Sequence, residues 1–219
     1  MEQIPDKTVL LEEPGYRDHL NIIGRAISVI AIAFAFFHIY TGGFRALVAY
    51  EQRGIHLTFA LVLTFLLHPF KKGKGLSWID VLLSVATVAA GGYLYIEADQ
   101  ITSRMGIPTT LDLIVGGTMV LLVLEATRRV IGIAIPIIAG MFLLYTYFGY
   151  LAPLPIAHQG YSIERIISQM SLAIEGIYGI PLGVSATYVI LFIIFASFLS
   201  ECGAGQFFID ISMALFGRF

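Results

Sequence analysis

Long apolar runs, separated by short charged or turn-forming segments, constrain this chain more than any other feature. A helix that crosses the hydrocarbon of a bilayer needs about 20 mostly apolar residues, and several runs approach that length. Only helices and closed barrels cross a bilayer, because backbone groups find no water there. The runs are longer than barrel strands and do not alternate with a period of two. The sequence therefore predicts an all-α integral membrane protein.

The spacing of charges predicts about six membrane-spanning helices. Their approximate bounds are 22–44, 55–70, 78–96, 108–127, 130–150 and 180–199. The second is near the short limit for a crossing. Pro136 lies one or two turns into the fifth, where a proline is expected to kink a helix. A seventh apolar stretch, 206–219, is too short to cross.

Composition agrees with a membrane location and excludes some functions. The chain is 58% hydrophobic and 13% charged, whereas a soluble domain has about 25% charged residues. No basic stripe with interleaved aromatic residues is present, so nucleic acid is not an expected partner. A single cysteine, Cys202, excludes an intrachain disulfide and a Cys-rich metal site. Residues 1–20 are mostly polar and predict a cytoplasmic tail rather than a signal peptide.

Lysine and arginine counts in the short loops predict the orientation. One set of loops carries eight of these residues and the opposite set carries four. Positive residues collect on the cytoplasmic side, so the N-terminus is predicted inside. The eight are Lys7, Arg17, Arg25, Lys71, Lys72, Lys74, Arg128 and Arg129, and the four are Arg45, Arg53, Arg104 and Arg165.

The segment 151–179 opens with prolines and continues with an amphipathic pattern. Apolar residues recur at helical spacing, at Ile163, Ile166, Ile167, Met170, Ile174 and Ile177. Polar residues occupy most of the other face. The pattern predicts an interfacial helix on the outer membrane surface. Such a helix would either cover neighbouring helices or form a docking surface for an extracytoplasmic partner.

Charged residues near helix ends are the first candidates for function, because ionisable groups at membrane depth are costly. Glu125 precedes Arg128 and Arg129 at helical spacing. This grouping predicts an interfacial ion pair, and a subunit contact or a gating latch is the alternative. Asp112 lies in the first turn of its helix, where capping is favoured over ion binding. Asp80 has the equivalent position in the third helix.

Small and polar residues at the start of the sixth helix are the second set of candidates. Ser185 and Thr187 follow closely spaced glycines and a proline. This arrangement indicates either tight helix packing or a polar site for an ion or solute. No metal-binding histidine spacing, Walker loop or hydrolase motif is present. No metal, no cofactor and no enzymatic activity are therefore expected.

Two longer stretches resemble a known transporter family. The run GIYGIPLGVSATYVILFIIFASFLSECGAGQFFIDISMALFGR, residues 176–218, resembles the start of the large membrane subunit of tripartite ATP-independent periplasmic (TRAP) transporters. The upstream run LLVLEATRRVIGIAIPIIAGMFLLYTYFGYLAP, residues 121–153, resembles the permeases of the TAXI-associated subtype, in which small and large membrane subunits are fused. Together the two runs cover roughly a third of the chain.

The resemblance implies a function and a division of the chain. It implies a permease of a bacterial inner membrane that uses sodium and a TAXI-type periplasmic binding protein to import organic acids. Residues 21–129 would match the small subunit and 130–150 a connector helix. Residues 151–179 would form an extracytoplasmic loop, and 180–219 the start of the transport domain. Family members continue well beyond this point, so an N-terminal part of a longer permease is expected. No substrate or sodium residue is carried over, and a non-transporting membrane scaffold remains the alternative.

Overall fold

The computed structural model describes residues 22–70, 76–104 and 107–217, and the tail predicted at 1–20 lies outside them. Within these residues every regular element is helical. The helices are α1 (Ile22–Gly43), α2 (Ala49–Leu67), α3 (Trp78–Ile96), α4 (Ala98–Ser103), α5 (Thr110–Val130), α6 (Ala134–Phe148), α7 (Ile163–Ile167), α8 (Ile180–Glu201) and α9 (Ala204–Phe216). The predicted class, an all-α integral membrane protein, is confirmed.

Five described helices are long and apolar enough to cross a membrane. They are Ile23–Gly43, Trp78–Ile96, Thr110–Val130, Ala134–Leu151 and Ile180–Glu201. The fourth of these is α6 extended by one 3₁₀ turn, Gly149–Leu151. Helix α3 has the bounds that the sequence predicted for the third crossing, 78–96.

The remaining predicted crossing corresponds to α2, which differs from the prediction in its start and composition. It begins at Ala49, six residues earlier than expected, and includes Glu51, Gln52 and Arg53 in its first turns. At 19 residues it is roughly 28 Å long, but it is not among the helices apolar enough to cross by composition alone. The polar residues of α2 are explained by its position, because α2 packs against α1, α3, α5 and α8. A helix surrounded by protein tolerates polar residues that lipid would not.

Pro136 does not kink a helix as predicted. The fifth apolar run breaks at Gly132, whose φ is +105°, and α6 starts only at Ala134. Pro136 therefore lies in the first turn of α6. The amide hydrogens of a first turn have no partner within the helix, so a proline is tolerated there.

The interfacial helix is shorter than predicted, and its most buried residues follow the α-helical part. The α-helical part is Ile163–Ile167, a π-helical turn follows at Ser168–Leu172, and Ile174 and Ile177 lie in turns beyond it. The most buried residues are Ser171 and Leu172, whereas Ile166 and Ile167 are half-buried and Ile163 is 59% exposed. The small side chain of Ser171 packs against the face of α5 that carries Gly116, which allows this close approach.

The core is formed by α2, α3 and α5, with the π-helical turn and Tyr178 closing one end. Phe65 and Met119 are fully buried there, and Leu94 is nearly so. By contrast, α6, α8 and α9 expose large apolar side chains over most of their surfaces, including Phe142, Phe192 and Phe208. These exposed apolar surfaces suit contact with lipid.

Helices α2 and α3 approach most closely at Gly91. A Cβ atom at this position would collide with the hydroxyl of Thr58 on α2, which donates a hydrogen bond to the carbonyl of Gly54 at 2.8 Å. Gly92, the next residue, has nothing within 4 Å of the equivalent Cβ position. Glycine at 91 is thus required by packing and glycine at 92 is not.

We therefore predict that Gly91→Leu destabilises the protein and that Gly92→Leu does not. Overpacking a tight contact costs about 1–3 kcal/mol, and the two substitutions change helix propensity equally. Thermal unfolding of the purified variants in detergent measures the difference. Equal unfolding temperatures for the two variants would contradict the α2–α3 contact.

The predicted orientation is open to a separate test by cysteine labelling. In a Cys202→Ser background, Ser103→Cys is expected to react with a membrane-impermeant maleimide added to intact cells. Lys72→Cys is expected to react only after permeabilisation, because the two positions lie in loops on opposite sides of the predicted topology. The reverse pattern would place the N-terminus outside.

Candidate functional site

A buried ion pair joins the start of α3 to the end of α5. The guanidinium of Arg129 donates from Nη1 to Asp80 Oδ1 at 2.7 Å and to the carbonyl of His68 at 2.9 Å. The side chain of Arg129 is 3% exposed and that of Asp80 is fully buried. Asp80 also closes a capping box with Ser77 and accepts from the amide of Phe70 at 3.0 Å. One carboxylate therefore fixes three chain segments at this end of the bundle.

Glu125 extends this cluster towards the surface. Arg128 donates to its carboxylate through Nε and Nη2 at 2.7 and 2.8 Å, and Arg129 Nε donates to it at 2.8 Å. The guanidinium carbons of both arginines lie within 6 Å of the Phe70 ring centroid. The structure thus joins the three residues that the sequence grouped. The structure also brings Asp80 into this cluster, 49 positions away from Arg129. Spacing within one helix could not predict that contact, because the two residues lie on different helices.

Asp112 lies at the opposite end of the α3–α5 pair. It caps α5 by a reciprocal capping box with Thr109, as the sequence predicted. Its carboxylate also accepts a hydrogen bond from the Tyr93 hydroxyl at 2.7 Å and lies 3.5 Å from Arg104 Nη2. Because Asp80 and Asp112 lie at opposite ends of antiparallel helices, they cannot act as a catalytic pair.

A cavity of about 630 Å³ opens beside Asp112, between the α4–α5 region and the segment that begins at α7. Its lining includes side chains of both charges. The charged residues are Arg104, Asp112, Glu164, Arg165 and Glu175. Such a lining can bind a polar surface, and the cavity lies at the end of the bundle that the charge count places outside.

A second polar cluster lies in the same half of the molecule, where α1, α2 and α8 meet. His38 Nε2 lies 2.8 Å from His56 Nδ1, and His56 Nε2 lies 3.2 Å from the hydroxyl of Ser185. The side chains of His38 and His56 are 1% and 6% exposed. Rings of Phe34 and Phe37 pack around the two imidazoles.

Gln52 completes this cluster. Its Nε2 lies 3.3 Å from His38 Nδ1, 3.1 Å from Thr41 Oγ1 and 3.2 Å from the carbonyl oxygen of Ala186. Its Oε1 is buried and has no hydrogen-bond partner in the part of the chain that the structure describes. We call Gln52, His38, His56 and Ser185 the histidine chain.

The first half of α8 contains a π-helical turn, Ser185–Val189, at this junction. π-Turns inside α-helices are rare and are frequent at functional sites. Ser185 and Thr187, the two polar residues that the sequence singled out in this helix, both lie in the turn. Ser185 contacts His56, and Thr187 donates to the carbonyl of Gly183 within its own helix at 2.8 Å. It also lines two cavities of about 310 and 90 Å³ that border Gln52.

Sequence reasoning missed the histidine chain. Its two histidines lie 18 positions apart on different helices, so no motif joins them. The available signal was Gln52 and His56 at i and i+4, which share one face of α2. Among the described residues, no three His, Cys, Asp or Glu side chains are placed to hold a metal ion.

A known protein family matches the C-terminal part of this architecture. Residues 118–219 match the family described as tripartite ATP-independent periplasmic transporter, DctM component. The match begins within α5 and includes α6, α7, α8 and α9. It supports a TRAP transporter membrane permease, which is the family that the sequence resemblance indicated. No curated protein matches the chain, and no solved structure does.

The buried ion pair generates a prediction with a matched control on the neighbouring residue. Arg129→Gln removes the cation that hydrogen-bonds to the buried carboxylate of Asp80 at 2.7 Å, and breaking a buried pair in this way costs about 3–5 kcal/mol. Arg128→Gln removes a half-exposed partner of Glu125 and should cost about 1 kcal/mol or less. Unfolding temperatures in detergent compare the two. A larger loss for Arg128→Gln would show that Asp80 does not depend on Arg129.

Proposed function

We propose that this chain is the membrane permease component of a secondary active TRAP transporter. In this proposal the transporter is coupled to sodium, depends on a TAXI-type periplasmic binding protein and imports organic acids. The observation that carries the proposal is the family match over residues 118–219, within a chain whose helices suit a membrane. Sodium, the binding-protein type and the solute class come from the sequence resemblance alone.

The division of the chain follows the same resemblance. We propose that residues 21–129 act as the small-subunit-like part and 130–150 as the connector. Residues 180–219 would begin the transport domain. The packing supports this division, because α2, α3 and α5 share a buried core whereas α6 and α9 have no buried residue. A buried core that carries a largely exposed helix α8 suits a transporter in which one part moves against another.

The cavity beside Asp112 is the proposed contact for the binding protein. Both signs of charge line it, and complementary charges steer association and fix orientation at protein interfaces. Arg165 is exposed at this surface. On this proposal, the segment 151–179 contacts the partner as well as covering α5.

The test is uptake of radiolabelled organic acids by cells that express the complete natural reading frame encoding this chain. We expect uptake only when a TAXI-type binding protein and a sodium gradient are both present. Uptake that persists without sodium would overturn the coupling ion. Uptake that persists without the binding protein would overturn the partner.

A pair of charge reversals tests the docking surface. Arg165→Glu should reduce uptake and binding-protein association at least tenfold, since unfavourable charge at an interface costs more than about 1.4 kcal/mol. Arg25→Glu makes the same change at the other end of the bundle, where α1 begins, and should leave association unchanged. Equal effects of the two variants would contradict the assigned surface.

A non-transporting membrane scaffold is the second candidate function. The exposed apolar faces of α6, α8 and α9 favour it, because they could hold another membrane protein as well as lipid. Stable association with a membrane partner, with no uptake of any organic acid under the conditions above, would support the scaffold over the permease.

A further inference from the structure

We propose that His38 and His56 together form a proton-binding site. One added proton turns the side-chain amide of Gln52 and releases the carbonyl oxygen of Ala186 in the π-helical turn of α8. The proposal concerns proton uptake by this chain and does not depend on whether the chain transports a solute. It rests on the direction of the hydrogen bonds, the unpartnered oxygen of Gln52 and the adjoining cavities.

The hydrogen-bond direction is fixed from one end of the histidine chain. The carbonyl oxygen of Ala186 can only accept, so the Gln52 atom that lies 3.2 Å from it must be the nitrogen Nε2. That nitrogen only donates, and it also faces His38 Nδ1 at 3.3 Å. His38 Nδ1 therefore carries no hydrogen while the ring is neutral.

The rest of the histidine chain follows from that one assignment. Neutral His38 carries its hydrogen on Nε2 and donates it to His56 Nδ1, 2.8 Å away. Neutral His56 then carries its hydrogen on Nε2 and donates to Ser185 Oγ, 3.2 Å away. The ring nitrogens without hydrogen are thus His38 Nδ1 and His56 Nδ1. The second is occupied by the hydrogen bond from His38, so an added proton binds at His38 Nδ1.

Gln52 is built to accept that proton's hydrogen bond. Once His38 Nδ1 carries a hydrogen, it repels the hydrogens on Gln52 Nε2. A half-turn of the Gln52 side-chain amide then places Oε1, which can accept, opposite His38 Nδ1. Oε1 has no partner in the described structure, and the turn gives it one, while Nε2 moves to the position that Oε1 leaves. The Thr41 hydroxyl lies 3.1 Å from the nitrogen and donates to the carbonyl of His38 at 3.4 Å, and it can rotate to donate to the turned oxygen instead.

The same turn removes one of the two side-chain hydrogen bonds described above between α2 and α8, the one from Gln52, while His56 still contacts Ser185. Nε2 no longer faces the Ala186 carbonyl, and an oxygen takes its place. Ala186 is 1% exposed and belongs to the π-helical turn, where hydrogen bonding already departs from the α-helical pattern. Proton uptake at α1 is thereby converted into the loss of a hydrogen bond between α2 and α8.

A small cavity gives a proton a route to His38. The cavity of about 90 Å³ is lined by His38, Thr41 and Gln52, and it is large enough for water. The proton comes from that water, and the pair gains one positive charge. Charged residues also lie on the packed elements, at Arg25, Arg45, Glu51, Arg53 and Glu201. Arg53 donates to the carbonyl of Tyr178 at 2.6 Å. In the described residues none of the five forms a hydrogen bond or ion pair with either imidazole.

Nitrogen NMR of the full chain, labelled with ¹⁵N at the histidine rings and held in lipid nanodiscs, tests the first part. His38→Gln and His56→Gln assign the signals. At pH 8 we expect two protonated nitrogens among the four of the pair. Between pH 8 and pH 3, a range that extends below ordinary histidine titration, we expect a third. Two protonated nitrogens at every pH would overturn the proposal. Four protonated nitrogens at low pH would also overturn it, because the two rings would then titrate independently.

Two further variants make this titration specific. Gln52→Glu places a carboxylate beside His38 Nδ1 and should raise the titration midpoint of the pair by about one pH unit or more. His158→Gln alters a histidine that contacts Tyr145 and Tyr161 instead, and should leave the midpoint unchanged. A midpoint that ignores Gln52→Glu would contradict protonation at His38 Nδ1.

Carbonyl NMR tests the second part with built-in controls. Labelling alanine with ¹³C at the carbonyl and threonine with ¹⁵N selects the Ala–Thr pairs, which lie at 86–87, 126–127 and 186–187. The Ala186 carbonyl signal should shift upfield with the same midpoint as the histidine pair, while the Ala86 and Ala126 signals stay fixed. In Gln52→Leu the Ala186 signal should be shifted at every pH. A pH-independent Ala186 signal in the natural chain would overturn the switch.

Discussion

The absence of water in a bilayer governs this structure, because each polar group at membrane depth must find its partner within the protein. The chain meets this requirement at both ends of the α3–α5 pair. Asp80 binds Arg129 at one end, and Asp112 binds Tyr93 and its own helix cap at the other. Each carboxylate begins one helix and contacts the end of another. These contacts fix the register of the pair, which apolar packing alone specifies weakly.

Helix α2 shows the same constraint from inside the bundle. It has the length of a span but is not among the helices apolar enough to cross by composition, and it packs against α1, α3, α5 and α8. Three of its polar residues donate to backbone carbonyls at the Asp112 end: Tyr50 to that of Ser171, Arg53 to that of Tyr178, and Gln52 to that of Ala186. The start of α2 thereby holds the segment before α8 and α8 itself.

The proposed permease and the proposed proton site meet at α8. The family match includes this helix, and its π-helical turn receives the hydrogen bond from Gln52. A turn of this kind leaves the backbone ready to change its hydrogen bonds. Gln52 and His56 of α2 both form polar contacts with α8, and these contacts join the buried core to a helix with largely exposed surfaces. That attachment is where a small change in charge can alter how the two parts pack.

The sequence by itself determined the helical class, the approximate bounds of the spans, the caps at Asp112 and Asp80, and the grouping of Glu125 with Arg128 and Arg129. These depend on composition and on neighbours within one helix, which are local. Tertiary structure decided which carboxylate pairs with Arg129, why α2 carries polar residues and where the segment 163–172 is buried. It also decided that His38 and His56 meet, since their contact joins residues of different helices. No period in the sequence encodes which faces two helices present to each other, and packing selects them.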